Sequence, residues 1–258
     1  LKHIMVRRTR NEIKKYFSED FEKQRLFFPE VSEPVRLVYK FDEKIGNIFN
    51  QTLERIKEFT YSRYMSLVYL TSPKTEFELE SQRNVGRFMK GILVKRLESS
   101  FYAFKKSVDR FIQSYESFIQ MFDEGRILIS KSVNVYDLLD EDDEEKIQKM
   151  IVEDKVIEYQ SSEFRDEYKE DLEKDMEVLY QIQSLWKGMN DDPKFEKFLS
   201  ELKSGGKLFN KKILVFSEST ETGGYLYNKL FEEFGEQVMF YSSKGGLLNS
   251  EPLEKSAA

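Results

Sequence analysis

Lys211-Lys212-Ile213-Leu214-Val215-Phe216-Ser217-Glu218-Ser219 is the stretch around which the chain is organised. Residues 213–217 are mostly β-branched, aromatic or otherwise apolar and open onto a small polar loop. A helical pattern follows over about 220–234, and a second apolar run occupies 238–241. A short apolar run bounded by polar residues predicts a buried strand, and strand, helix and strand in that order predict one βαβ unit. Almost all of the remaining chain precedes this unit and reads as helices with a few strands. The expectation is therefore the approach to an α/β domain that is cut off soon after it begins.

Bulk properties narrow the chemistry. At 258 residues and 40% hydrophobic content, the chain is long enough to bury a sizeable core in one or two domains. Its net charge of -6 argues against a generally basic nucleic-acid coat, although a local basic face can still bind phosphate. There is no cysteine and a single histidine, His3, which excludes disulfides and thiol chemistry and argues against a histidine-based metal site or a Ser-His-Asp triad. No run approaches the roughly 18 apolar residues of a membrane span, so no membrane partner is expected. The expected compartment is reducing: cytoplasmic and, given the partner inferred below, nucleoid-associated.

Helical periodicity dominates the middle of the chain. Ile45, Ile48, Phe49, Leu53, Ile56 and Phe59 form one stripe. Leu93, Leu97, Phe101, Phe104, Val108, Phe111, Tyr115, Phe118 and Phe122 form a longer one, predicting a helix on the order of 45 Å. Phe164, Tyr168, Leu172, Met176, Leu179, Ile182 and Trp186 repeat at the same spacing and supply a partner for a long helical pair or bundle. Residues 35–41 alternate instead, with Val35, Leu37, Tyr39 and Phe41 on one side, and predict a half-buried strand. Short strands are expected at 127–129 and 156–159, and residues 243–258 read as a loose tail.

Several clusters invite a chemical reading. Thr9 and Glu12 have capping-box spacing, which places Arg7 and Arg8 just before a helix, where two guanidinium groups suit a carboxylate or phosphate; surface ion pairs are the plainer reading. Residues 137–145 carry seven carboxylates but lack the glycine and alternating ligands of a calcium loop, so they read as helix-start acids and no metal site is assigned. Between 83 and 110, Arg83, Arg87, Lys90, Lys95, Arg96, Lys105, Lys106 and Arg110 face only Glu98 and Asp109. That face suits a nucleic-acid backbone or simply solvent. Gly205-Gly206-Lys207 lacks the Ser or Thr of a phosphate loop and precedes a strand where such a loop follows one.

Taken in order, the block Met5-Val6-Arg7-Arg8-Thr9-Arg10-Asn11-Glu12-Ile13, the 34–41 strand leading into a helix, the Asp192-Pro193-Lys194 entry and the strand at 212–218 resemble Swi/Snf-type ATPases of helicase superfamily 2. Lys95-Arg96-Leu97-Glu98-Ser99-Ser100 resembles a block of bacterial members that carry a helical insertion between their lobes. Arg10 stands where that family usually has Lys. The resemblance implies a mainly α chain with α/β elements. It assigns 1–60 to the end of a first RecA-like lobe, 61–190 to the helical insertion and 191–242 to the start of the second lobe. It further implies an internal part of an ATP-dependent helicase or translocase acting on nucleic acid, with duplex DNA the expected partner.

In that family ATP and magnesium are held by a Gly-Lys-Thr loop, an Asp-Glu-x-His motif and later arginine fingers, none of which occurs in this sequence. Gln82-Arg83-Asn84-Val85-Gly86-Arg87 has arginine-finger composition, with one residue too many and in the wrong place. No catalytic residue is therefore assigned, and no cofactor is expected to bind this chain alone. The resemblance places Ser217, Glu218, Ser219, Thr220 and Thr222 against the nucleic-acid backbone. Lys95, Arg96, Lys105 and Lys106 join them from the basic face, and Arg7 and Arg8 form an inter-lobe or phosphate clamp. A helical protein-interaction scaffold without enzymatic activity is the competing expectation.

Overall fold

Apolar residues spaced three and four apart are buried where helices face one another, and this arrangement sets the architecture of the computed structural model, which describes residues 9–25, 28, 32–72, 75–130, 156–242 and 245–253. The chain is mainly helical with small sheets. It divides into two units, Leu1–Val38 and Tyr39–Ala258.

In the first unit, α1 (Arg10–Tyr16) starts at the expected capping box. Thr9 Oγ1 accepts from the Glu12 amide at 3.3 Å, and the Thr9 amide donates to Glu12 Oε2 at 2.7 Å. These bonds, the backbone one foremost, hold the Glu12 carboxyl below its usual range. Helix α2 (Ser18–Gln24) follows. Arg7, Arg8 and His3 lie outside the described residues.

The second unit is built on α3 (Glu43–Glu58), a 3-10 stretch (Ser62–Tyr69), α4 (Glu76–Ser99), α5 (Phe101–Asp123) and α6 (Glu167–Leu185). Helices α5 and α6 pack along one another, and α6 also meets α3 and the 3-10 stretch. Their shared core contains Phe104, Val108, Phe111, Tyr115, Tyr168, Leu172, Leu179 and Ile182, all nearly or fully buried. The stripe over 93–122 does not form one helix. Ser100, extended at φ -158 and ψ 125, ends α4 and caps α5 by accepting from the Ala103 amide at 3.3 Å. A cap of this kind replaces the missing intrahelical partners at each end, so α4 and α5 fold back on one another instead of running on.

Beyond α5, Gly125 takes φ +91, a conformation glycine adopts without steric cost. The chain then forms β1 (Arg126–Ser130), paired antiparallel with β2 (Val156–Gln160) in the register Leu128↔Glu158. Residues 137–145 lie outside the described residues. Helix α7 (Pro193–Leu202) begins at an Asp192 cap, and α8 (Thr220–Phe234) begins at Ser219. The Gly205-Gly206 break closes α7 without forming a phosphate cradle. A Cβ on Gly206 would collide with the Glu201 backbone, and the Lys207 amide donates to Glu201 Oε2 at 3.0 Å.

Both strands expected at the ends of the helical region come out differently. Residues 35–41 and 213–217 are in no ladder among the described residues. Leu214 is 83% and Phe216 90% exposed, and Val35 is 76% exposed. Tyr39, Phe41 and Ile213 are half-buried, with Phe41 5.2 Å from the Phe49 ring and 5.8 Å from that of Phe101. Among the described residues no βαβ unit forms either. Strand β3 (Met239–Ser242) pairs antiparallel with β4 (Gly245–Leu248), and β4 with β5 (Glu251–Leu253), so part of the expected tail is sheet. An antiparallel neighbour can be reached through a tight local turn, whereas a run that is apolar on both faces needs ladders and cover from outside itself.

Candidate nucleic-acid interface

The first turn of α8 is set by short polar residues. Ser219 is extended at φ -113 and ψ 126, and its hydroxyl accepts from the Thr222 amide at 3.4 Å. Ser217 braces the approach, because its Oγ accepts from the Ser219 amide and donates to the Ser219 carbonyl, both at 3.2 Å. The cap positions Glu221 one residue into the helix, where the exposed amides and the helix dipole favour a negative charge.

Two arginines from the helical region close on that turn. Arg96, near the end of α4, donates through Nη1 to Ser219 Oγ, 123 residues away in sequence, and reaches Glu221 Oε2 at 3.3 Å. Arg110, on α5, donates to both carboxylate oxygens of Glu221, the Nη2 contact with Oε2 measuring 3.1 Å. Ser107 accepts from Arg110 Nη2 at 3.3 Å and fixes the guanidinium on its own helix. Arg96 is buried, while the Glu221 and Arg110 side chains retain about a fifth of their exposure, so solvent reaches the cluster from the carboxylate side.

The entry to α7 lies against the same corner. Lys194 Nζ donates to the Glu98 and Ser99 carbonyls at 3.1 and 3.0 Å, satisfying the last acceptors of α4. Asp192 caps α7 through the Phe195 amide at 2.9 Å and accepts from the Tyr225 hydroxyl at 3.0 Å. Burial, then the Asp192 charge, pushes the Tyr225 phenol up. The Tyr225 ring stacks on Tyr102 with centroids 5.0 Å apart, and Lys106 lies 6.0 Å over the Tyr102 ring.

The sequence-predicted residues therefore separate into groups. Arg96, Ser219 and Thr222 meet, with Ser217 beside them and Thr220 half-buried in the same turn. Glu218 and Lys95 are exposed. Lys106 turns to Tyr102, and Lys105 turns away to donate to the Met189 carbonyl at 2.7 Å. It lines a separate cleft of about 440 Å³ between α5 and α6 with Phe104, Tyr180, Trp186 and Lys187. Sequence reasoning missed Glu221 and the specific role of Arg110. A signal existed, since Arg96 stands three positions after Leu93 and directly before Leu97, inside a buried stripe, and a cation there requires a buried partner.

Part of the wider basic face is paired with acids. Arg83 reaches Glu76 at 3.4 Å and Glu80 at 3.7 Å, and Arg87 reaches Glu80 at 3.0 Å. Those acids stand in the helical turns just before position 83, outside the stretch that looked uniformly basic. Lys90 donates to the Lys57 carbonyl at 2.9 Å.

Among the described residues no group of three or more His, Asp or Glu is placed to hold a metal ion, and no helix is long and apolar enough to cross a membrane. Comparison with protein-family models, curated proteins and solved structures finds no match.

Proposed function

We propose that this chain supplies nucleic-acid and inter-lobe contacts to an ATP-driven translocase of Swi/Snf type acting on duplex DNA, with ATP and magnesium held by other parts of the same protein. One observation carries the reading: three blocks far apart in sequence, residues 95–100, 192–194 and 217–222, meet at one corner through Arg96, Lys194 and Ser219. All three blocks belong to the family resemblance, which rests on their order along the chain. A helix start rich in hydroxyls, beside cationic side chains, is also suited to backbone phosphate. Lys95 and Lys106 are exposed and would extend the track.

The test uses the full chain, a fluorescein-labelled DNA duplex and calorimetry with magnesium-ATP. Weak duplex binding that falls steeply with salt is expected, together with no heat from ATP. No duplex binding at low salt, or a micromolar ATP isotherm, overturns the proposal. The scaffold reading is favoured by the pairing of Arg83 and Arg87 with acids and by the outward-facing Leu214 and Phe216. It predicts no DNA binding at any salt concentration.

A further inference from the structure

We infer that Arg96 and Arg110 form a phosphate clamp that Glu221 holds shut, and that a phosphate group enters by displacing the Glu221 carboxylate. The inference rests on the nucleic-acid reading above only for the source of the phosphate, a backbone phosphodiester.

The Arg110 guanidinium grips both oxygens of Glu221, and Arg96 reaches one of them while also donating to Ser219. A carboxylate and a phosphate present the same pair of acceptors to a guanidinium fork, so the geometry that fits one fits the other. The occupied position lies in the first turn of α8, where the helix dipole adds to the attraction for any anion. A second observation is independent of that dipole. Thr222, the residue after Glu221 in α8, is 6% exposed, and its hydroxyl has no hydrogen-bond partner. A buried hydroxyl left without an acceptor is costly unless a ligand completes it, and phosphate oxygens are acceptors.

Displacement needs no backbone movement. Glu221 belongs to the helix through its main chain, and its carboxylate leaves by side-chain rotation towards solvent, since that side chain is 20% exposed. Arg110 is fixed by Ser107, and Ser107 in turn donates to the Ala103 carbonyl at 2.9 Å. The Arg110 half of the clamp therefore keeps its place on α5 when the carboxylate departs. The arrangement is autoinhibitory: the protein's own anion competes with the ligand for the same donors.

Glu221→Gln keeps the volume and removes the competing charge. The full-length variant is titrated with labelled DNA duplex and, separately, with inorganic pyrophosphate. Duplex affinity is expected to rise on the order of tenfold, and Arg110→Ala in that background is expected to abolish the gain. If pyrophosphate binds the variant but no form of the protein binds DNA, the clamp stands and the nucleic-acid reading fails. If the wild type binds DNA and the folded variant binds no more tightly, the clamp is overturned and the nucleic-acid reading stands. If neither ligand binds any form, both fail. Should Glu221→Gln fail to fold, arginine side-chain NMR on the wild type decides. Pyrophosphate must shift the Arg96 and Arg110 signals, and unmoved signals overturn the clamp.

Discussion

Asp175 ties α6 to the turn after α3 and to α5. From α6, only 1% exposed, it accepts from five donors: the Thr60 amide at 2.6 Å, the Thr60 hydroxyl, the Ser62 amide and hydroxyl at 2.7 Å each, and the Tyr115 hydroxyl at 2.9 Å. These bonds span the left-handed Tyr61, at φ 62, and hold the turn between α3 and the 3-10 stretch in a conformation that is strained for a non-glycine residue. Asp175→Ala leaves several buried donors without acceptors and should destabilise the fold by about 3 kcal/mol or more. Urea unfolding followed by the fluorescence of Trp186, the single tryptophan, measures this.

Burial raises the Asp175 carboxyl above its ordinary 3.8 and outweighs the hydrogen bonds that lower it. The native state thus holds the proton more tightly than the unfolded chain. The Asp175 contribution to stability is full below 3.8 and is lost as pH rises through the higher native value. Comparing wild type with Asp175→Asn across that window should show the wild type losing relative stability as pH rises. Trp186 gives a second local test. Its Nε1 donates to Thr52 Oγ1 at 2.9 Å in the core, so Thr52→Val should cost about 1–3 kcal/mol by stranding that donor.

Each helix is held by its caps as much as by its stripe. Ser100 separates α4 from α5, and Ser100→Ala should cost about 1 kcal/mol in thermal or denaturant unfolding. The break was hard to read from sequence, because the apolar spacing passes through it uninterrupted from Leu97 to Phe101 to Phe104. Periodicity reports which residues seek a core. It is silent on whether a helix continues past a serine that can bond either way. Residues 213–217 pose the converse problem. Their composition is that of a buried strand, yet strand formation requires backbone partners, and among the described residues none pairs there. Amides at 213–216 should therefore exchange with solvent far faster than those of β1 and β2, as hydrogen-exchange mass spectrometry would report.

Charge is distributed over the chain by pairing. Arg83 and Arg87 are spoken for by Glu76 and Glu80 on an exposed helix face, where such pairs contribute little to stability. Arg83→Ala and Arg87→Ala should change duplex affinity by less than about twofold, whereas Arg96 and Arg110 substitutions should act through the α8 corner. A binding isotherm for each variant at one low salt concentration separates the two groups.

The helical stripes, the Thr9 capping box and the short strands β1 and β2 could be read directly from the sequence, because they depend on residues a few positions apart or on the simple alternation of side chains. The meeting of Arg96, Arg110 and Glu221, the turn held by Asp175 and the unpaired state of 213–217 depend on residues brought together from more than a hundred positions away or on partners supplied by other elements. Spacing along a chain encodes which faces are apolar. Which buried charge meets which donor is decided only when the core closes and removes water from both.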